Sequence, residues 1–179
     1  MTDFSKQVRK PMARNIEIKA QIENIEALAV KVSGLTDQGP VEIFQDDTFF
    51  ACPNGRMKLR TFSADKAELI FYQRLNQAGP KESVYSISPI TSPDKTREVL
   101  SQAYGQAGRV RKHRTLFIIG RTRVHLNRVE GLGRFLELEV VLDEKESTED
   151  GVAVANELLG KLGIPTSSLI EGAYVDLLK

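Results

Sequence analysis

The sequence has one cysteine, no tryptophan and no long apolar run. The single cysteine, Cys52, excludes an internal disulfide, and we interpret it as a small half-buried filler in a protein of a reducing compartment. No segment approaches the ~20 consecutive apolar residues of a membrane-spanning helix. The polar, basic start from Met1 to Pro11 also lacks the apolar core of a signal peptide. These absences predict a cytoplasmic protein with no membrane partner.

The chain also lacks an excess of charge of either sign. Its formal net charge is +1 at pH 7, which argues against a nucleic-acid partner but not against a polyanionic ligand, because charge can be sorted locally inside a fold. With 179 residues, 41% of them hydrophobic, the chain suits one ordinary domain. We expect a flexible tail over residues 1–11 and a single domain over residues 12–179. The oligomeric state is left open, with a homodimer as one arrangement.

The dominant positive feature is strand alternation with a period of two residues. In the stretch from Asn15 to Ile22, polar residues at odd positions alternate with apolar residues at even ones. Similar patterns predict seven further strands, over residues 41–51, 56–62, 68–74, 83–87, 110–119, 121–129 and 134–142. Helices are expected near residues 24–33, 93–104 and 152–162. The predicted fold is α+β and mainly antiparallel: an eight-stranded closed barrel, or tunnel, with helices packed outside and room for a small ligand.

The second faces of these strands carry an organised set of charges. The basic members are Lys19, Lys58, Arg60, Arg74, Lys112, Arg114 and Arg123, and the acidic members are Glu17, Glu137 and Glu139. If the apolar faces pack under the helices, these side chains line the lumen. Seven cations against three carboxylates leave a net charge of +4 there, which would balance a triphosphate of roughly −4 through charge-assisted hydrogen bonds. Carboxylates beside a phosphate cradle suit a hard divalent cation.

Periodicity alone does not establish a lumen. Alternating charges on strands usually mean one solvated sheet face, and this simpler interpretation is favoured from the pattern by itself. The same composition also suits a barrel that merely binds an anion.

Among single residues, His125 is expected to be a hydrogen-bonding group of the lumen or rim, and His113 is expected to face outward. Tyr72 and Tyr174 are expected to be packing residues.

Two segments resemble the signatures of the CYTH superfamily, the triphosphate tunnel metalloenzymes. The stretch Arg14–Ala20 resembles its N-terminal signature of alternating glutamates and lysine, and His125–Glu139 resembles its C-terminal one. Between and after them, four shorter segments fall in the expected order: 57–60, 69–74, 110–114 and 173–178. The resemblance covers about residues 12–178 and is strongest to the bacterial class IV adenylyl cyclase-like branch.

The resemblance implies an eight-stranded tunnel in which Mg²⁺ or Mn²⁺ is held by Glu17, Glu137 and Glu139. It implies that the seven basic residues bind a triphosphate, and that Lys19 also activates the nucleophile, so that Lys19, Glu17 and Glu139 form the catalytic set. Asn15 and Asn127 depart from the signature, since acids are usual at both positions. Each change removes a negative charge but keeps an oxygen, and the expected metal affinity is therefore lower.

The implied function is that of a metal-dependent enzyme acting on triphosphates. The first candidate is a class IV adenylyl cyclase-like lyase that converts ATP to cyclic AMP and pyrophosphate. The second is a phosphohydrolase of tripolyphosphate, thiamine triphosphate or nucleoside triphosphates. A third is a non-catalytic module that binds polyphosphate or nucleotide, suggested by the two asparagines. A barrel for apolar ligands is disfavoured because it requires an apolar lumen.

Overall fold

The computed structural model describes residues 12–178, so the tail predicted for residues 1–11 lies outside the described residues. The eight strands are β1 (Ala13–Gln21), β2 (Gln38–Phe50), β3 (Arg56–Ser63), β4 (Lys66–Arg74), β5 (Lys81–Ile90), β6 (Gln106–Ile119), β7 (Thr122–Val129) and β8 (Gly133–Leu142). The helices are α1 (Ile25–Ser33), α2 (Pro93–Tyr104), α3 (Thr148–Leu162) and the short α4 (Tyr174–Leu177), with a 3-10 turn at Thr166–Ser168. All eight predicted strands and all three predicted helices are present, and α4 is added to them.

The strands form one closed barrel in the order β1-β5-β4-β3-β2-β6-β7-β8, with β8 pairing back onto β1. Every pairing is antiparallel. The predicted fold class is therefore confirmed. Closure gives each strand one inner and one outer face, so the alternative of an open sheet with one solvated face is wrong.

Several elements begin earlier than the sequence pattern predicts. β2 starts at Gln38, which pairs with Ile118 across a register shift that hides the strand from a strict period of two. α3 starts at Thr148 rather than near residue 152, because the Ser147 side chain accepts a hydrogen bond from the amide of Asp150 and caps the helix. α1 is capped in the same way, since the Asn24 side chain accepts a hydrogen bond from the Ala27 amide at 2.9 Å.

The main apolar core lies between the barrel wall and helices α1 and α3. Ile18, Val124 and Leu138, from β1, β7 and β8, point outward and are at most 1% exposed. They pack against the inner faces of α1 and α3, including Leu28 and Leu162. Burial of these outward faces is what turns the opposite, charged faces of the same strands toward the lumen.

A second apolar cluster closes one end of the barrel. Tyr174, at the start of α4, is 5% exposed and packs on Phe135 with ring centroids 4.9 Å apart. Gly108 of β6 has φ +152°, and a Cβ there would lie 2.4 Å from the side chain of Val175. This close approach requires glycine at position 108 and lets α4 sit across the end of the barrel.

None of the helices within residues 12–178 combines the length and the apolar character that a membrane crossing needs.

Candidate functional site

The barrel encloses a cavity of about 380 Å³, within the range of small-molecule sites. Side chains from all eight strands line it. They include every charged residue selected from the sequence: Glu17, Lys19, Lys58, Arg60, Arg74, Lys112, Arg114, Arg123, Glu137 and Glu139. The structure thus brings together ten side chains from six strands that are far apart in the chain.

Strand register explains how the acidic residues meet the first basic one. β1 and β8 pair so that Glu17 lies opposite Glu139 and Lys19 lies opposite Glu137. Residues directly opposite in an antiparallel pair share a face, so all four side chains enter the lumen. The Nζ of Lys19 lies 3.4 Å from the carboxylate of Glu137 and 3.8 Å from that of Glu17. It also lies 4.1 Å from the ring centre of Tyr174, so this tyrosine faces a cation as well as packing.

Glu137 is the most enclosed carboxylate of this wall. It accepts a hydrogen bond from Arg114 at 2.6 Å, and Arg114 also donates to the side-chain oxygen of Asn127 at 2.8 Å. Burial by itself would raise the pKa of Glu137, but the Lys19 and Arg114 cations outweigh burial and hold that pKa well below its usual range. Glu137 is therefore an anion at neutral pH. Asn127, in place of the usual acid, acts here as a hydrogen-bond acceptor for arginine.

Glu139, Glu137 and His125 form a compact group of cation-ligand atoms. Within residues 12–178, one ligand atom from each lies within 4.8 Å of the others. Burial would raise the pKa of Glu139, but His125 and Arg123 outweigh it and lower the pKa to about 2. The Nδ1 atom of His125 is buried and has no hydrogen-bond partner, and neither has the Oδ1 atom of Asn15 in the same lumen. Two anionic carboxylates beside the buried, unpartnered Nδ1 of His125 fit a divalent cation.

Glu17 lines the same lumen and forms an ion pair with Arg74. Its carboxylate accepts from Arg74 at 2.7 Å and is not a member of the group of Glu137, Glu139 and His125. Arg74 also donates to the carbonyl of Gly172 at 2.7 Å, which ties it to the segment before α4. Cation binding by Glu17 remains a prediction, and the hydrogen bond from Arg74 uses one of its two carboxylate oxygens.

The opposite wall holds a residue that sequence analysis missed. Asp47, on β2, is 1% exposed and accepts hydrogen bonds from Lys58 at 3.0 Å and from Lys112 at 3.0 Å. Arg60 donates to the same carboxylate through two nitrogens. Burial would raise the pKa of Asp47, but Arg60, Lys112 and Lys58 outweigh it and hold the pKa well below the usual range. The polar run from Gln45 to Thr48 has no apolar alternation, so its inward face could not be assigned from the sequence.

Three lysines in or next to the lumen have lowered pKa values, and burial holds that of Lys112 well below its usual range. Burial, followed by the nearby Arg60, lowers the pKa of Lys58 to about 8. Burial, followed by Arg74, lowers that of Lys81 to about 8. Lys81 was also missed by sequence analysis; it is 2% exposed and faces Glu17 across the β1–β5 pair. Because burial is the main cause at Lys58 and Lys81, additional negative charge nearby would favour their charged forms.

The cavity lining has a smaller positive charge than the sequence predicts. Asp47 and Glu68 line it in addition to the three predicted carboxylates, so seven cations face five anions and the net charge is +2 rather than +4. His125 is 3% exposed, and burial, followed by Arg114, lowers its pKa, so that the ring is neutral at pH 7. The expectation that His125 lies in the lumen is confirmed. His113 points outward, as predicted, and its side chain is 47% exposed.

The end of the cavity away from α4 has a partly apolar wall. The lining there includes Ile43, Phe62, Ile87 and Leu116. Ile43 lies six residues from Phe49 along β2, and Leu116 lies six residues from Val110 along β6. At about 3.3 Å per residue, about 20 Å separates these side chains from the apolar cluster at the closed end. The lumen therefore runs from a closed end, through a charged middle, to a far end where these four apolar side chains, the apolar mouth, lie beside Glu68 and Arg123.

Together the fold and the site define a class: a closed antiparallel barrel with acidic and basic walls facing each other across an internal cavity. The model of the CYTH domain matches residues 13–174. The chain belongs to the CYTH domain family, as the sequence resemblance predicted.

Individual proteins show the same likeness. The adenylate cyclase CyaB of Aeromonas hydrophila is 23% identical over 168 residues, which span 89% of this chain and 85% of that protein. The structure of the PH1012 protein from Pyrococcus horikoshii has a TM-score of 0.81 and 23% identity, covering 92% of this chain and 99% of the other. HpAC1 from Hippeastrum, a proposed adenylyl cyclase described as revealing a dominant triphosphatase activity, has a TM-score of 0.65 and 15% identity, covering 93% and 95%. At these identities the structural likenesses show the fold.

Proposed function

We propose that the protein is a metal-dependent enzyme that binds a triphosphate in the charged middle of the lumen. The observation that carries the proposal is the charge balance. A triphosphate of roughly −4 together with one divalent cation leaves about −2, which matches the net charge of +2 on the cavity lining. An inorganic or organic triphosphate without a cation would leave the buried site with excess negative charge, which is costly in a desolvated interior.

One wall of the lumen would bind the cation, and the facing wall would bind the phosphates. Glu137, Glu139 and His125 would hold the cation, and Glu17 is a further candidate. When bound, the cation neutralises developing charge on phosphate oxygens. On the facing wall, Lys58, Arg60 and Lys112 would bind non-bridging phosphate oxygens, with Arg60 able to present two parallel donors. Arg74, Arg114 and Arg123 complete the basic set.

Asp47 prepares the basic wall for its ligand. Three cations within hydrogen-bond distance of one carboxylate are held close together without a phosphate. Since the cations are already ordered, less side-chain entropy is lost when the phosphates bind. Phosphate oxygens can then accept hydrogen bonds from the same three cations that bind Asp47. These side chains need to move little in order to stabilise the charge of the transition state.

We propose adenylyl cyclase-type chemistry as the first candidate reaction. The ribose 3′-oxygen attacks the α-phosphorus, the bond from that phosphorus to the β-phosphate oxygen breaks, and pyrophosphate leaves while the hydroxyl proton is lost to a base of the lumen. Lys19, between Glu17 and Glu137, is proposed to position and activate the attacking oxygen. The apolar mouth, with Ile43 and Phe62, supports this reaction because it can hold an organic group beside the phosphates and exclude water.

Triphosphate hydrolysis is the second candidate, and the described activity of HpAC1, a protein of the same fold, favours it. The same lumen would then bring water rather than a ribose hydroxyl to a phosphorus atom. A non-catalytic binding module is the third candidate, and it is favoured by Asn127, which binds Arg114 where an acid would add a cation ligand.

One assay separates the three candidates. The purified protein is incubated with Mg²⁺ or Mn²⁺ and with ATP, thiamine triphosphate or tripolyphosphate in parallel, and cyclic AMP, pyrophosphate and phosphate are measured. Cyclic AMP and pyrophosphate in equal amounts support the cyclase. Phosphate release without cyclic AMP defeats the cyclase and supports hydrolysis.

Variants of the acidic wall provide the matched control. Glu137→Gln with Glu139→Gln should abolish turnover, whereas the exposed Glu26→Gln, on α1, should leave turnover unchanged. Tight binding of tripolyphosphate without any metal-dependent turnover would exclude an enzyme and leave the binding module.

A further inference from the structure

We propose that His125 is itself a ligand of the cation, so that the site binds a divalent transition-metal ion in preference to Mg²⁺. The inference rests on the cation-binding part of the proposed function, and it concerns which ion this chain accepts. Among the proposed cation ligands, His125 is the nitrogen donor in an otherwise oxygen-rich set.

The orientation of the imidazole carries the inference. The Nδ1 atom of His125 lies 3.7 Å from the carboxylate of Glu137 and 3.8 Å from that of Glu139. Both separations exceed hydrogen-bond distance, and Nδ1 has no other partner although it is buried. With a proton on Nδ1 the donor is unsatisfied, and without one a lone pair faces two anions. Either state is unfavourable in a buried site, and a cation between the three groups would satisfy the nitrogen and both carboxylates.

The separations are also those of ligands around one ion. Two donors that are each about 2.1 Å from a metal lie between about 3 and about 4.2 Å apart, depending on the angle between them. The distances of 3.7 and 3.8 Å from Nδ1 to the two carboxylates fall inside this range. An ion could therefore contact His125 and both glutamates with small side-chain adjustments, whereas a proton shared between them could not span the gaps.

The choice of ion follows from the ligand type. Mg²⁺ prefers oxygen ligands in near-ideal octahedral geometry and gains little from imidazole. Divalent first-row transition ions accept a mixed set of imidazole and carboxylate more readily. A site in which His125 replaces one oxygen donor should therefore bind first-row transition ions more tightly than Mg²⁺. Mn²⁺ is the weakest binder of that series, so it is the strictest probe of the preference, and it can be followed directly by its electron paramagnetic resonance.

The experiment titrates Mn²⁺ alone into the metal-free full-length protein, without nucleotide, and repeats the titration with Mg²⁺ as competitor. We expect Mn²⁺ to bind at least about 10-fold more tightly than Mg²⁺. His125→Leu should weaken Mn²⁺ binding by about 10- to 100-fold and Mg²⁺ binding by less than about 3-fold. The matched control is His113→Leu, since His113 is exposed on the outer face of β6, and it should change neither affinity.

Pulsed electron paramagnetic resonance of bound Mn²⁺ gives a second readout, which can be taken on the wild-type protein and so does not require that a variant folds. Direct ligation should produce a nitrogen coupling in the wild-type protein, and His113→Leu should keep it. Bound Mn²⁺ without nitrogen coupling, or no Mn²⁺ binding at all, would overturn the inference. This experiment does not measure turnover, so it tests ligation by His125 separately from the enzymatic proposal. If nitrogen coupling is found in a protein that shows no turnover, ligation by His125 is supported and only the enzymatic proposal fails.

Discussion

The guanidinium of Arg60 makes two parallel hydrogen bonds to the carboxylate of Asp47, at 2.8 Å from Nε and 2.9 Å from Nη2. Such bidentate pairs are among the strongest side-chain interactions. Because Lys58 and Lys112 bind the same carboxylate, one anion holds three cations on one wall of the lumen. This arrangement connects the stability of the ligand-free barrel with the binding of a phosphate ligand.

The first prediction concerns Asp47→Asn. Removing the charge leaves three buried cations without their common anion, so the free energy of unfolding should fall by about 3 kcal/mol. Tripolyphosphate should restore much of the lost stability, because its oxygens take the place of the Asp47 carboxylate beside the three cations. Urea unfolding with and without tripolyphosphate measures both effects.

Asp46→Asn is the matched control for this prediction. Asp46 is the next residue on β2, but it faces outward and pairs with Arg109, whose side chain is 46% exposed. The expected loss is below about 1 kcal/mol, with no special recovery by tripolyphosphate. Equal losses in the two variants would contradict the assigned role of Asp47.

The second prediction is that Lys19→Ala and Arg60→Ala each lower kcat/KM by about 100-fold or more while the barrel stays folded. The carboxylate partners keep other cations, since Glu137 retains Arg114 and Asp47 retains Lys58. Turnover and thermal unfolding are measured on the same preparations. Complete loss of folding in both variants would instead indicate structural ion pairs, and Arg109→Ala on the outer face provides the control.

The third prediction is proton uptake on binding. In the ligand-free protein the pKa values of Lys58 and Lys81 are about 8, so both lysines are partly neutral at pH 8.5. Phosphate oxygens favour the charged form, and binding at pH 8.5 should therefore take up roughly one proton per triphosphate, with little uptake at pH 6.5. Calorimetry in two buffers of different ionisation enthalpy measures the uptake.

Lys58→Arg tests the origin of that proton. Arginine stays protonated at both pH values and should remove part of the uptake while keeping a positive charge. Proton release, or equal uptake at pH 6.5 and 8.5, would show that these lysines do not meet the phosphates.

The fourth prediction is a loss of stability in acid. The pKa of Glu139 is lowered from 4.5 to about 2 in the folded protein, so the unfolded chain binds a proton more readily. The stabilisation by Glu139 is therefore complete above about pH 5 and is lost as the pH falls toward 2. Glu139→Gln should reduce the dependence of the unfolding free energy on pH between 5 and 3. If the unfolding free energies of the variant and the wild type fall in parallel with pH, Glu139 does not cause the loss of stability in acid.

The fifth prediction concerns the apolar mouth. Phe62→Ser should raise KM for ATP by about 10-fold and leave KM for tripolyphosphate within about 2-fold, because only ATP has an organic group to bury there. Phe44→Ser is the control: Phe44 is 55% exposed and does not line the lumen. An equal effect of Phe62→Ser on KM for both substrates would show that the apolar mouth does not take part in substrate recognition.

Strand alternation predicted most of the site as well as the fold. Glu137 and Glu139 are separated by one residue whose apolar side chain, Leu138, is buried under the helices, so their inward direction followed from the sequence. Asp47 and Lys81 gave no comparable pattern, because polar residues occupy both faces near Asp47 and Lys81 follows a loop. The short helix α4 was also missed as a helix, since four residues provide too few turns for a periodic pattern.

The sequence by itself determined which side chains share a face, because a strand places every second residue on the same side. It also determined the family, through two short signatures. Only the tertiary structure decided that Asp47 binds three cations, that Glu17 faces Arg74, and that His125 points at two carboxylates. Those contacts depend on which strands become neighbours when the barrel closes, and neighbours such as β1 and β8 are more than a hundred residues apart in the chain.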